Sequence, residues 1–100
     1  MEIIVKHIDH ANNKFVPVAK VDVTELAHLS RMDQLEYAYR YTNNIDGSWS
    51  LKIGSDANDN VTVLTLREDG KGLRSTSMFD RMEIDGVEYE VDAFGFEKVA

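Results

Sequence analysis

Apolar and polar residues alternate with a period of two toward both ends of the chain. A helical period appears once, in the middle. "EIIVKHI" (2–8) is apolar and β-branched and predicts a strand. "DHANNK" (9–14) is a turn cluster, and "FVPVAKVDV" (15–23) alternates again, so the two segments predict a first hairpin. Pro17 has no N–H for a ladder, which places it at an edge or a bulge. "TELAHL" (24–29) predicts a short helical turn. Ser30 with Asp33 resembles a capping box before a helix over 31–42, whose stripe is Leu35, Ala38, Tyr39 and Thr42, extended by Met32. "NNIDGS" (43–48) ends that helix, and "SWSLKIG" (48–54) is a loop or short strand. After the turn "SDANDN" (55–60), "VTVLTLR" (61–67) reads as the strongest strand of the chain. "EDGKG" (68–72) is a tight connection, "LRSTSMF" (73–79) is ambiguous, and the last 20 residues predict a hairpin. These elements imply one α+β domain over residues 1–100, a mostly antiparallel, twisted sheet of five or six strands with one main helix on one face.

The final hairpin has the sharpest local signal. Asp85-Gly86 between alternating segments suits a type I′ turn, which needs positive φ at both central residues. A two-residue loop pairs Ile84 with Val87, Glu83 with Glu88, Met82 with Tyr89 and Arg81 with Glu90. Met82, Ile84, Val87, Tyr89 and Val91 then face the core, while Arg81, Glu83, Glu88, Glu90 and Asp92 face water. Acids are poor strand formers, and Glu83 directly opposite Glu88 is unfavourable. The face is therefore either a solvated surface or an acidic surface that meets a basic partner. Carboxylates two residues apart on a strand lie about 6.6–6.8 Å apart, close to the spacing of successive phosphates on a nucleic-acid strand.

Charge sharpens this picture. The chain of 100 residues carries net −7, and residues 80–98 hold seven acids and two bases, leaving only −2 on the rest. An acidic protein is unsuited to direct nucleic-acid binding or to anionic membranes. No apolar run approaches the roughly 20 residues that span a bilayer, and "IIV" is too short for a signal peptide, so a cytoplasmic protein is expected. The absence of cysteine excludes disulfides, thiolate metal sites and a cysteine nucleophile.

Candidate chemistry is sparse. His7 and His10 with Asp9 could be read as metal ligands, but His7 ends a strand, His10 lies in a turn, and no further ligand has a recognisable spacing. "DANDN" (56–60) begins like a calcium loop but has Val61 where glycine and Arg67 where glutamate would stand, so it reads as an Asx-rich turn. "EDGKG" lacks the spacing of a phosphate-binding loop. Ser75, Thr76 and Ser77 offer hydroxyls without a nucleophile elbow, and Ser75 and Ser77 are expected to hold the bend into Asp80. Tyr37, Tyr39 and Tyr41 cannot share one helix face, which makes Tyr37 and Tyr41 candidate interface anchors. Trp49 is expected as a lid on the core. No metal or cofactor is expected.

"RSTSMFDRMEIDGVEYEVDAFGFEKV" (74–99) resembles the C-terminal part of small uncharacterised proteins of bacteriophages and other mobile elements. The matching residues are Arg74, Ser75, Thr76, Ser77, Asp80, Gly95, Phe96 and Glu97, and "LEYAYRYTNNIDGSW" (35–49) is similar to the helix and loop of that group. A glycine often precedes the aspartate in such proteins, where this chain has Phe79. The group has no assigned activity, so the resemblance implies no functional residue. It implies an accessory protein that acts on a host protein. The expected function is thus a non-enzymatic, acidic protein-binding module that inhibits or modulates a host nucleic-acid-handling protein with a basic surface. Glu83, Glu88, Glu90, Asp92, Tyr37 and Tyr41 are its contact candidates. The alternative is a structural protein that self-associates through a sheet edge; no constellation supports a small enzyme.

Overall fold

The computed structural model describes residues 1–99. Its elements are β1 (Glu2–Asp9), β2 (Lys14–Asp22), α1 (Arg31–Arg40), β3 (Val61–Val63), β4 (Arg81–Ile84), β5 (Val87–Asp92) and β6 (Gly95–Lys98). All strands join one antiparallel sheet in the order β3-β2-β1-β4-β5-β6. With one main helix against it, this is an α+β fold. No helix among the described residues is long and apolar enough to cross a membrane.

The core lies on one face of the sheet, because alternation sends every second side chain there. Ile3, Val5, Val21, Met82, Ile84, Tyr89 and Val91 supply that face, and Leu35 and Ala38 of α1 close over it. Ser30 caps α1 by accepting from the Asp33 amide at 3.1 Å. The helix ends at Arg40, two residues earlier than its periodicity predicts. Thr42 turns its hydroxyl back onto the Ala38 carbonyl at 2.8 Å instead of continuing the helix. Met32 does not extend the buried stripe and is 42% exposed. Trp49 lies inside the core, fully buried, with its Nε1 donating to the Arg74 carbonyl at 2.9 Å. It is therefore no lid.

Two predicted strands come out differently. The C-terminal segment is a three-stranded meander and not a hairpin alone, since β6 pairs with β5 from Tyr89↔Lys98 to Asp92↔Gly95. "VTVLTLR" yields only three paired residues. The cause is on the neighbouring strand, where a bulge opposite Val5/Lys6 adds Val18 and brings Pro17 next in line. The Leu64 amide still donates to the Val18 carbonyl at 2.9 Å. Pro17 then has no N–H to give, and only the Thr65 hydroxyl reaches its carbonyl, at 2.9 Å.

Candidate functional site

The face opposite α1 is uncovered. β4 and β5 pair in the predicted register, with Asp85 at φ 54° and Gly86 at φ 74° forming the turn. The outer face of β4, β5 and β6 therefore carries Arg81, Glu83, Glu88, Glu90, Asp92 and Glu97. The strand beside them contributes what the local pattern does not reveal. Lys6 of β1 lies across from Arg81, and its Nζ donates to Glu83 at 3.0 Å and to Glu88 at 2.8 Å. The Glu83–Glu88 opposition is thus bridged by a lysine some 80 positions away in sequence. Arg81 reaches Glu88 at 3.3 Å and Glu90 at 3.9 Å, while its guanidinium stacks 4.3 Å over Phe15. The hydrogen bond to Glu88, together with Glu83, raises the Lys6 ammonium pKa, and the bond from Lys6 holds Glu88 below the usual carboxylate range.

On the other side of the sheet, the residues of the "RSTSMFD" block form a polar junction. Asp80 is fully buried. Arg74 grips it with two parallel bonds of 2.7 and 2.8 Å, and the amides of Ile8 and Ser77 donate to it at 2.8 Å each. Burial pushes this carboxyl up, but the arginine and the two amides outweigh it and hold the pKa below the ordinary value. Thr76 links the end of α1 to β1: its hydroxyl donates to Thr42 at 2.8 Å and meets His7 Nε2 at 2.8 Å. Ser75 Oγ accepts from the Asn44 amide at 2.8 Å. Ser77 serves mainly through its backbone, which closes a turn back to the Asp80 amide at 3.1 Å. The bend into Asp80 is thus held by the Asp80 carboxylate and the Ser77 backbone and not by the two serine hydroxyls, since Ser75 ties in the loop after α1 and Ser77 Oγ meets only Arg74 among the described residues, at 3.4 Å.

His7, Thr76 and Asp80 come together in space, but not as a catalytic relay. A relay needs hydroxyl and carboxylate on opposite ring nitrogens. Here Nε2 faces both, at 2.8 Å from Thr76 and 4.0 Å from Asp80. The ring is buried edge-on to Trp49, and burial pushes its pKa down to about 4. His10 is exposed in the β1–β2 turn, away from any shared ligand set. No group of three metal-ligating side chains forms among the described residues.

The "DANDN" turn hides a second buried carboxylate. Asp56 accepts from the amides of Ile45, Asp46 and Gly47 at 3.0, 2.8 and 2.6 Å, and from Arg40 at 3.0 Å. The Gly47 amide leads the other donors in holding its pKa below the usual range. Asp56 organises the loop after α1, its two carboxylate oxygens taken by four donors. Tyr37 and Tyr41 stack on each other at 4.9 Å; Tyr37 Oη accepts from Asn58 and Asn60, and Arg40 lies 4.7 Å above Tyr41. Both rings are half-buried and committed to internal contacts.

Two aromatic residues at the Asp92 end of the sheet are free of such commitments. Phe94 is fully exposed at the β5–β6 turn, beside a cleft of about 180 Å³ lined by Glu36, Tyr39 and residues 91–96. Phe79 is 54% exposed and sits at φ 75°, a left-handed conformation that favours glycine. It occupies the third position of the turn Ser77–Asp80, where positive φ is required. Comparison with protein-family models, with curated proteins and with solved structures returned no match.

Proposed function

We propose that the protein is a non-enzymatic binding module that acts in the cytosol and docks a basic protein surface on its outer sheet face. In keeping with its resemblance to mobile-element proteins, the partner is a host protein that handles nucleic acid, whose basic groove the acidic face would occupy. One observation carries the reading. On the uncovered face of β4–β6 with Lys6, five carboxylates (Glu83, Glu88, Glu90, Asp92, Glu97) stand against two cations (Lys6, Arg81). Internal pairing satisfies Glu83 and Glu88 first, reaches Glu90 only at 3.9 Å, and leaves Asp92 and Glu97 without an ion pair among the described residues. The exposed Phe79 and Phe94 flank that end and suit apolar anchors beside a charged contact.

The test is a variant that removes outward charge and keeps the Lys6 clamp: Glu90→Thr, Asp92→Asn and Glu97→Thr together. The parent, immobilised in bacterial lysate at low salt, should retain a basic protein that high salt releases. The variant should keep its melting temperature and lose the capture, mainly through slower association. Equal capture by variant and parent would sink the acidic-face reading.

A further inference from the structure

Asn60–Leu66 is the longest run of this chain without Asp, Glu, Lys or Arg, on a protein of net −7. Within it, "VTVLTL" has no glycine or proline and consists of strand formers, the composition that pairs with other strands when left at an open edge. It stands at an edge: β3 is the outermost strand, and the chain continues past its last paired residue as Leu64–Leu66. Edge strands in monomeric proteins are usually blunted by charge, proline or a bulge on the strand itself. Here the bulge and the proline belong to β2, and they shorten the inner pairing without protecting the outer side.

The direction of each backbone group follows from the ladder. The Asp22 amide donates to the Asn60 carbonyl at 2.8 Å and the Leu64 amide to Val18 at 2.9 Å, so residues 60, 62 and 64 point toward β2. Residues 61, 63 and 65 point away from the sheet. At Val61 both groups are taken, the amide by the Asn58 carbonyl and the carbonyl by Lys52 Nζ. The backbone groups of Val63 and Thr65 have no partner among the described residues. Leu64 and Leu66 share the outer face with Thr62 and are 45% and 75% exposed.

We propose that this edge is the interface with a second copy of the chain. An antiparallel dyad through Leu64 pairs Val63 with Thr65 of the partner copy and Thr65 with its Val63, so all four outward groups on each chain are satisfied. The same register sets Leu64 against its own counterpart and Leu66 diagonally beside it, in one apolar strip. A second copy is the occupant that the register favours, because the open groups of Val63 and Thr65 complement themselves across a dyad. Two chains of net −7 repel over most of their surfaces, and this segment brings no charge to the dyad. Arg67, the first charge beyond it, is neutralised within its own chain by Asp69 at 2.6 Å. Pairing stops at Val61, where Lys52 covers the edge, so the contact closes as a dimer and does not propagate. The inference stands apart from the acidic-face reading, since β3 and the acidic strands lie at opposite ends of the sheet.

The experiment is sedimentation equilibrium of the parent, Leu64→Lys, Leu64→Glu and an equimolar mixture of the two variants. The parent should sediment at twice 11.4 kDa. Each variant places like charges face to face at the dyad, which should weaken association roughly hundredfold or more and give monomers. Because Leu64 is largely exposed, both should keep the parent's circular dichroism spectrum. The mixture should recover the dimer, since opposite charges then meet at the same position. A monomeric parent at its solubility limit, open-ended assemblies, variants that remain dimeric, or a mixture that stays monomeric would each overturn the proposal.

Discussion

β1 has a neighbour on each side, and the two sides are built to different standards. Toward β4 and β5 the ladder runs without a bulge, closes on an Asp85-Gly86 turn with both residues at positive φ, and is pinned at its start by the buried Asp80. Toward β2 and β3 it begins equally well, then slips by one residue at Val18 and ends at Val63 because Pro17 cannot extend it. Both sides are rich in strand formers, so propensity does not separate them. The difference lies in hydrogen-bond accounting. On the β4 side the ladder's end beyond Lys6 is filled by a side chain placed for it, where Asp80 accepts the Ile8 amide. On the β2 side the interruption leaves outward groups open and leucines exposed.

Breaking the ordered side should have the largest effect. Asp80→Ala leaves the amides of Ile8 and Ser77 and the partly exposed Arg74 guanidinium without their shared acceptor, and should destabilise by about 2–4 kcal/mol in urea unfolding. A loss under about 1 kcal/mol would show that Arg74 and the amides find other partners.

Acid attacks the same junction through His7. Its pKa is near 4 when folded and near 6.5 when unfolded, so the unfolded chain binds the extra proton first. Above about pH 6.5 both states are neutral there and nothing is gained or lost. As pH falls from 6.5 to 4 the folded state should lose about 3 kcal/mol through His7, with the carboxylates adding to the loss toward the acid end of that window. The melting temperature should decline across that window in the parent, and His7→Gln should flatten the slope. A parent whose stability is level from pH 6.5 to 4.5 would contradict the buried neutral imidazole.

Gly86→Val tests the turn itself. Nothing lies within 4 Å of where its Cβ would stand, so the penalty is backbone strain alone at φ 74°. It should be roughly 1–2 kcal/mol, and an unchanged melting temperature would refute it.

Mending the loose side should do least. Pro17→Thr restores an amide facing the continuing edge and should add no more than about 0.5–1 kcal/mol. Its sensitive readout is hydrogen exchange: a slowly exchanging amide at position 17 would show the ladder extended toward Thr65. Rapid exchange there would mean that the bulge, and not the missing amide, ends β3.

Much of this was legible along the chain because the physics is local. Alternation separates the two faces of β4 and β5, the turn dipeptide sets their register, and Ser30 marks where α1 begins, all within a few residues. The candidate site was legible only in part. The acids Glu83, Glu88, Glu90 and Asp92 can be placed on one face from their spacing, but Lys6, which bridges the opposed pair, comes from a strand whose adjacency no local pattern encodes. His7 is equally opaque, since a histidine ending a strand carries no mark of the Thr76 and Asp80 that will surround it. Sequence by itself determined the elements, their faces and the tight turn, because those follow from side-chain period and from the φ that each residue tolerates. Tertiary structure alone decided where β3 stops, which carboxylates are neutralised, and that Asp56 and Asp80 are buried anchors while their neighbours in composition stay in water. Those outcomes depend on which distant donors the fold delivers to each acceptor, and a buried carboxylate is stable only where they arrive.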